Sequence, residues 1–204
     1  MKPISVIFIV AKYPATYGHT SVINNLCNGL NELGHKTAIG AFSFDDDPPK
    51  GIEKVVLKKN ELLRSGVASL KYDIIHPHQA RVLYYLLFKK PEKPIVFHYH
   101  AASNIIQELN LKSSMKLFKK RISKFISVSE KASHHLEEWA GKCDDVVIYN
   151  GVNTKFFHPD LDQPYRKGTP QLLFVSVLRK YKKTVDLIRV MPELLKTYPK
   201  AHLQ

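Results

Sequence analysis

Two short stretches carry paired histidines, His76 and His78 in HPH and His98 and His100 in HYH. Residues two apart on a strand share a face, so neighbouring strands would bring the four imidazoles together. Such a group suits either a transition-metal site or histidines that hydrogen-bond one another and face a substrate. No carboxylate or thiolate stands beside them at ligand spacing and Pro77 interrupts the first pair, which favours the second reading. Another place for chemistry is AKYPATYGHTS, where Gly18 precedes a helical pattern. Free backbone N–H groups and the positive end of a helix dipole would receive a phosphate or carboxylate there, although an ordinary turn fits as well. The loop is neither GxGxxG nor GxxxxGK, so it supports no dinucleotide fingerprint and no Walker loop. A third stretch, LKSSMKLFKKRISKF, sets Lys116, Lys119, Lys120 and Arg121 beside Leu117 and Phe118 without an acidic residue. It reads equally as a solvated helix face and as a surface that docks on an anionic membrane.

These residues need a frame. Apolar runs at 4–10, 36–42, 53–58, 73–78, 94–100, 125–129 and 145–150 alternate with helix-period segments. That alternation predicts an α/β domain, a Rossmann-like parallel sheet with helices on both faces. In the first unit Val22, Leu26, Leu30 and Leu33 fall at helical spacing, with Thr20 or Ser21 placed to cap the start and Gly34 to close the end. Residues 151–170, rich in Gly, Pro, Asn and Asp, read as a linker. A second βα pair follows, a strand at 171–177 and a helix from about 182 to 198, and a further strand begins at 201–204. The expected organisation is one Rossmann-like domain over 1–150 and the incomplete start of a second over 171–204.

The chain has 204 residues, and 31 Lys and Arg against 18 Asp and Glu give it a formal charge of +13. Polyanionic partners are therefore favoured. Nucleic acid is not expected, because no zinc finger or aromatic reader motif accompanies the charge. Cys27 and Cys143 match no zinc or CxxC spacing, and Cys27 lies in an apolar helix pattern as a buried thiol would. The first apolar run is too short to span a bilayer and lacks a cleavage site, so the expected location is cytoplasmic, with docking at the inner face of the cell membrane.

Taken in order, YPATYGHTSVINNLCNGLNELGHK, DIIHPH, PIVFHYHAAS, FISVSE, VIYNGVNTKFFHP and LLFVSVLRKYKKTVDLI resemble the retaining family-4 glycosyltransferases of GT-B architecture. The stretch IYNGVNTKFFHP is similar to that family's crossover between domains. The resemblance covers essentially the whole chain. It implies two Rossmann-like domains around a cleft, a nucleotide-sugar donor held chiefly by the second, and a glycan or lipid-linked acceptor on the first. It implies retention of anomeric configuration and neither cofactor nor metal.

Residue by residue, the resemblance assigns His100 as the active-site histidine beside the reacting sugar, and Gly18, His19, Arg179 and Lys182 to the donor phosphates. His19 stands where the family carries a second glycine. The acceptor side takes Tyr13, His78, Ser129 and Glu130, the last two as positional residues. The family's Gly-Arg-Leu…Lys-Gly pattern reads here Ser176-Val177-Leu178-Arg179-Lys180-Tyr181-Lys182-Lys183, so Arg179 replaces the arginine that Val177 displaces. The family's donor-gripping carboxylates would lie beyond Gln204, so this form alone is expected to be inactive. Its segment from Gln171 on should expose a strand edge and an apolar helix face, and pack on the first domain, pair with a complementing chain or stay poorly ordered. The alternative function is a non-catalytic acceptor- or membrane-binding remnant, or a subunit of a split glycosyltransferase.

Overall fold

A strand that is apolar on successive residues is stable only where both of its faces are covered. The computed structural model describes residues 2–15, 18–102, 104–158, 169–176, 178 and 180–204. The chain divides into two compact units, Met1–Asn153 and Thr154–Gln204.

In the first unit the seven apolar stretches are strands: β1 (Ser5–Tyr13), β2 (Lys36–Phe44), β3 (Glu53–Val56), β4 (Ile74–Pro77), β5 (Val96–Tyr99), β6 (Lys124–Ser127) and β7 (Asp145–Val147). Every pairing among them is parallel. The hydrogen-bonded order is β3-β2-β1-β4 in one sheet and β5-β6-β7 in the other, and a parallel bridge between Ile75 and Ile95 joins β4 to the start of β5. The chain leaves β1 toward β2 and β3, then returns to β4 on the other side. That reversal opens a crevice beyond the carboxyl ends of β1 and β4, where open parallel sheets bind ligands.

Among the described residues the sheets are covered by the helices α1 (His19–Glu32), α2 (Lys59–Ser65), α3 (Leu83–Leu86), α4 (Ile105–Phe118) and α5 (Glu130–Ala140). Alternation along β1 sorts the core into two clusters. Ile7 and Ile9 pack with Leu62, Leu83, Leu86, Leu111 and Met115 from α2, α3 and α4. Val6, Phe8 and Val10 pack instead with Ile23 and Cys27 of α1. Each fully buried Leu, Ile or Phe stabilises the fold by roughly 1.5–3 kcal/mol, so the helices are held by their apolar faces. Cys27 is buried as expected, and burial pushes its thiol up to about 12. Gly34 has φ 83°, a backbone that glycine adopts without strain, and ends the turn after α1.

The second unit pairs two short parallel strands, β8 (Gln171–Leu172) and β9 (His202–Leu203), linked by α6 (Thr184–Thr197). Pro192 lies inside α6, and none of that helix's described residues is buried. Val185 and Ile188, one turn apart on α6, are exposed, and so is Val190 on another side of the helix. Of the strand expected over 171–177, Gln171 and Leu172 pair with His202 and Leu203, the Phe174 amide donates to the Gln204 carbonyl at 2.9 Å, and Val177 lies outside the described residues.

Candidate functional site

His76 and His78 lie at and just past the end of β4, and His98 and His100 at and just past the end of β5, so the bridge between these strands sets the two pairs side by side. The predicted convergence occurs, and a fifth ring joins it. His19, the first residue of α1, lies tilted against His100, with ring centroids 4.4 Å apart and ring planes 38° apart. His98 and His100 are 4.5 Å apart, His76 and His78 4.8 Å, and His78 and His98 4.9 Å. Phe8 closes the inner end against His76 at 4.8 Å. Pro77 does not break the ladder: it pairs with Ile9, and the amide of His78 donates to the Ile9 carbonyl at 2.9 Å.

Burial holds every ring in this cluster neutral. It lowers His76 to about 3, His98 to about 4 and His100 to about 2, each from an ordinary 6.5, and it depresses His78 and His19 as well. A neutral imidazole presents one donor and one acceptor. His78 Nδ1 and His100 Nε2 use one of each at 2.7 Å.

His100 opens onto a cavity of about 400 Å³ whose walls include His19, His78, Arg81, Tyr99 and Gln107. The loop leaving β5 is held open by a short network. The Tyr99 hydroxyl receives the Ala102 amide at 3.0 Å and pairs with His135 Nδ1 at 2.5 Å, while His135 Nε2 faces Glu108 at 3.5 Å. Burial pushes the Tyr99 hydroxyl up to about 12, so it stays protonated. Between His100 and Ala102, Ala101 has φ 69°, a left-handed conformation costing a non-glycine residue roughly 1–2 kcal/mol. Asn104 then caps α4 by accepting the Gln107 amide at 3.0 Å. No sequence spacing links Tyr99, Glu108 and His135, which meet only once α4 and α5 dock.

At the other wall Gly18 is the N-cap of α1 with φ 81°, and no side chain caps the helix. Thr20 does not cap it as the sequence suggests, since its hydroxyl donates back to the Ala15 carbonyl at 2.8 Å. The first-turn backbone therefore faces the crevice uncapped. His19 fills the volume a second glycine would leave, with its ring lying against His100.

The remaining candidates divide. Tyr13 is 3% exposed and its hydroxyl donates to Asn24 Oδ1 at 3.1 Å, a bond that ties β1 to α1. Ser129 caps α5 by accepting the Ala132 amide at 3.1 Å, and Glu130 is an exposed acid in the first turn of that helix. In the basic stretch, Lys119 donates to the carbonyls of Ala140 and Lys142, and Arg121 to those of Leu87 and Phe88, so these two cations tie α3, α4 and α5 together. Lys116 and Lys120 are exposed. Arg179 lies outside the described residues, and Lys182 ends a 3-10 turn, Lys180–Lys182, in the second unit. Among the described residues no helix is long and apolar enough to cross a membrane.

The chain is similar to solved glycosyltransferases of GT-B architecture. The Anabaena protein HepE, in complex with UDP-glucose, aligns with TM-score 0.72 at 15% identity over 98% of this chain and 59% of its own. Sucrose-phosphate synthase from Thermosynechococcus elongatus aligns with TM-score 0.71 at 14% identity over 98% of this chain and 61% of its own. A glycosyltransferase from Rickettsia africae aligns with TM-score 0.69 at 15% identity, over the whole of this chain and 68% of its own. The chain thus spans about 60% of the length of the first two, and its fold is part of a GT-B fold. No curated protein shows significant sequence similarity to it. The profile of Glycosyltransferase Family 4 matches residues 17–156, from the loop before α1 to just past the first unit, and the chain belongs to that family.

Proposed function

We propose that this chain is the acceptor-side half of a retaining glycosyltransferase, with the first part of the donor-binding half, acting between a nucleotide-sugar and a glycan or lipid-linked acceptor. The observation that carries the reading is the meeting of His100 with the uncapped N-terminus of α1 on one cavity, inside the segment that matches the family. Support for the donor class comes from HepE, whose structures hold UDP-glucose or UDP and glucose.

The chemistry follows from the charges. A donor diphosphate gains negative charge as the sugar departs, and backbone amides at Gly18 and His19, with Arg179 and Lys182 from the donor side, would stabilise it. Burial holds His100 neutral near pH 7, so in this reading it orients a sugar hydroxyl as a hydrogen-bond partner. Transfer needs no metal or cofactor in this reading. Lys116 and Lys120, with exposed Leu117 between them, form the face that docks on the anionic inner surface of a membrane, placing the protein at the cytoplasmic side.

The test is transfer from labelled nucleotide-sugars to extracted glycans and lipids by the purified chain, alone and with cell-extract fractions that supply a donor half. The expected result is no transfer alone, transfer with retained anomeric configuration after complementation, and loss of that activity in His100→Ala. Robust turnover by the chain alone would overturn the half-site reading. Inversion of the product would overturn the mechanism.

A further inference from the structure

Inside the histidine cluster, behind the cavity, three buried rings each carry at least one ring nitrogen without a hydrogen-bond partner. His76, His78 and His98 are 8%, 2% and 4% exposed. His76 Nε2, His78 Nε2 and both ring nitrogens of His98 are buried without a partner. A buried polar atom left unpaired costs about 1–3 kcal/mol, and native proteins rarely gather several in one place. One ligating nitrogen from each of the three rings lies within 4.8 Å of the others.

We propose that His76, His78 and His98 bind one borderline-soft divalent ion of the Zn2+, Co2+ or Ni2+ class, which locks the base of the His100 cavity. Three imidazoles and no oxygen donor favour these ions over Mg2+ and Ca2+. Metal–nitrogen bonds of about 2.0–2.1 Å in a tetrahedral set place the nitrogens about 3.4 Å apart. The triangle therefore closes by up to about 1.4 Å on binding, and the rings, whose planes lie within 20–35° of one another, turn about their Cβ–Cγ bonds to aim their lone pairs at one ion. Each nitrogen gives a lone pair to the ion and no proton is displaced, because all three rings are neutral.

The ion has a consequence at the cavity. Ligation through Nε2 leaves His78 with its proton on Nδ1, so His78 donates to His100 Nε2 across the 2.7 Å bond. His100 must then carry its own proton on Nδ1. A metal-ligating histidine is ordinarily fixed by what its other nitrogen bonds, and here that partner is the residue facing the cavity. The ion is thus a positioning element for His100, outside the transfer step itself.

The experiment titrates Co2+ and Zn2+ alone into the chelator-treated 204-residue chain. One equivalent of Co2+ should give the visible absorption of a tetrahedral nitrogen-ligated ion, Zn2+ should displace it and raise the melting temperature, and Mg2+ should do neither. His98→Asn and His76→Asn should each weaken binding at least about tenfold, while His134→Asn, on the exposed face of α5, should leave it unchanged. Nitrogen-detected NMR should show His78 as the Nδ1–H tautomer only with Zn2+ bound. If the ligand variants fail to fold, the wild-type chain decides: paramagnetic shifts confined to His76, His78, His98 and their neighbours support the site. Absence of stoichiometric binding, or binding that survives the double variant His76→Asn/His98→Asn, overturns it.

Discussion

His78 Nδ1 and His100 Nε2 stand 2.7 Å apart, a bond made between the residues that follow β4 and β5. Both rings are held neutral by burial, so exactly one of the two nitrogens carries the proton and the tautomer of one ring dictates that of the other. The inner histidine thereby sets which face of His100 donates into the cavity. His78→Ala should lower kcat in the complemented transfer assay by about 10²-fold, the scale of a misplaced reacting group. Acceptor KM should move far less. An equal rise in KM with kcat unchanged would show that His78 acts only in binding.

Acid should unfold this protein early. The chelator-treated chain keeps the five clustered histidines neutral when folded, whereas each titrates near 6.5 when unfolded. The groups facing His98 are the histidines His19, His76, His78 and His100, so no carboxylate among them offsets a charge. Below pH 6.5 the unfolded chain binds protons the folded chain refuses. Stability is complete above 6.5 and falls as pH drops toward 4. For His98 alone, a shift from 6.5 to about 4 corresponds to about 3 kcal/mol. Urea melts between pH 4 and 7 should show this slope, and His98→Asn should flatten it; a stability independent of pH in that window would contradict the neutral cluster.

Two glycines should fail for opposite reasons. Gly18→Ala meets no atom within 4 Å, so its cost is the strain of φ 81°, roughly 1–2 kcal/mol. Gly40 has an ordinary φ, but a Cβ there would lie 3.0 Å from Ile7 Cδ1 and 3.2 Å from Leu57 Cδ1. Gly40→Ala therefore overpacks the core, at about 1–3 kcal/mol. Denaturation midpoints measure both. Only Gly18→Ala should also weaken phosphate binding, read by NMR shifts of the α1 first-turn amides.

The strands of the first unit were readable because their apolar residues occupy both faces, as in SVIFIV of β1, and only a doubly covered parallel strand tolerates that. In the second unit the apolar run QLLFVSV shows as a strand at Gln171 and Leu172, with the Phe174 amide donating on to the Gln204 carbonyl. Period two likewise foretold the meeting of His76, His78, His98 and His100. It could not foretell His19, which comes from a helix across the crevice, or the bond between Tyr99 and His135, which needs α5 docked. Nor does any spacing announce that the Tyr13 hydroxyl bonds Asn24 of α1.

Tyr99→Phe removes one oxygen and with it both the Ala102 amide's acceptor and the partner of His135. The expected loss is about 1–2 kcal/mol, that of a partly buried hydrogen bond whose partners must find water. The local effect should be larger. Ala101 holds its left-handed backbone only while Ala102 is tethered, so hydrogen exchange at the Ala102 amide should accelerate more than at core amides such as Ile9. Uniform acceleration across the domain would mean the hydroxyl serves global stability and does not hold the cavity open.

The basic stretch separates by what each cation touches. Arg121 donates to Leu87 and Phe88 and packs 5.8 Å from the Phe118 ring, and Lys119 donates to Ala140 and Lys142, so both satisfy carbonyls after α3 and at the end of α5. Arg121→Ala and Lys119→Ala should each cost about 1–2 kcal/mol, because backbone acceptors lose charge-assisted donors. Lys116→Ala and Lys120→Ala should leave stability within about 0.5 kcal/mol, as exposed substitutions do. Vesicle co-sedimentation should rank them the other way. Each exposed lysine near an anionic surface contributes about 1 kcal/mol, so the Lys116→Ala/Lys120→Ala double variant should bind vesicles containing phosphatidylserine about thirtyfold more weakly, with neutral vesicles unbound throughout. Equal weakening by Arg121→Ala at a temperature where it is folded would place that guanidinium on the lipid and break the division. Weakening by none of the four would remove the membrane from the proposed function and leave the acceptor's own charge as the partner of the basic surface.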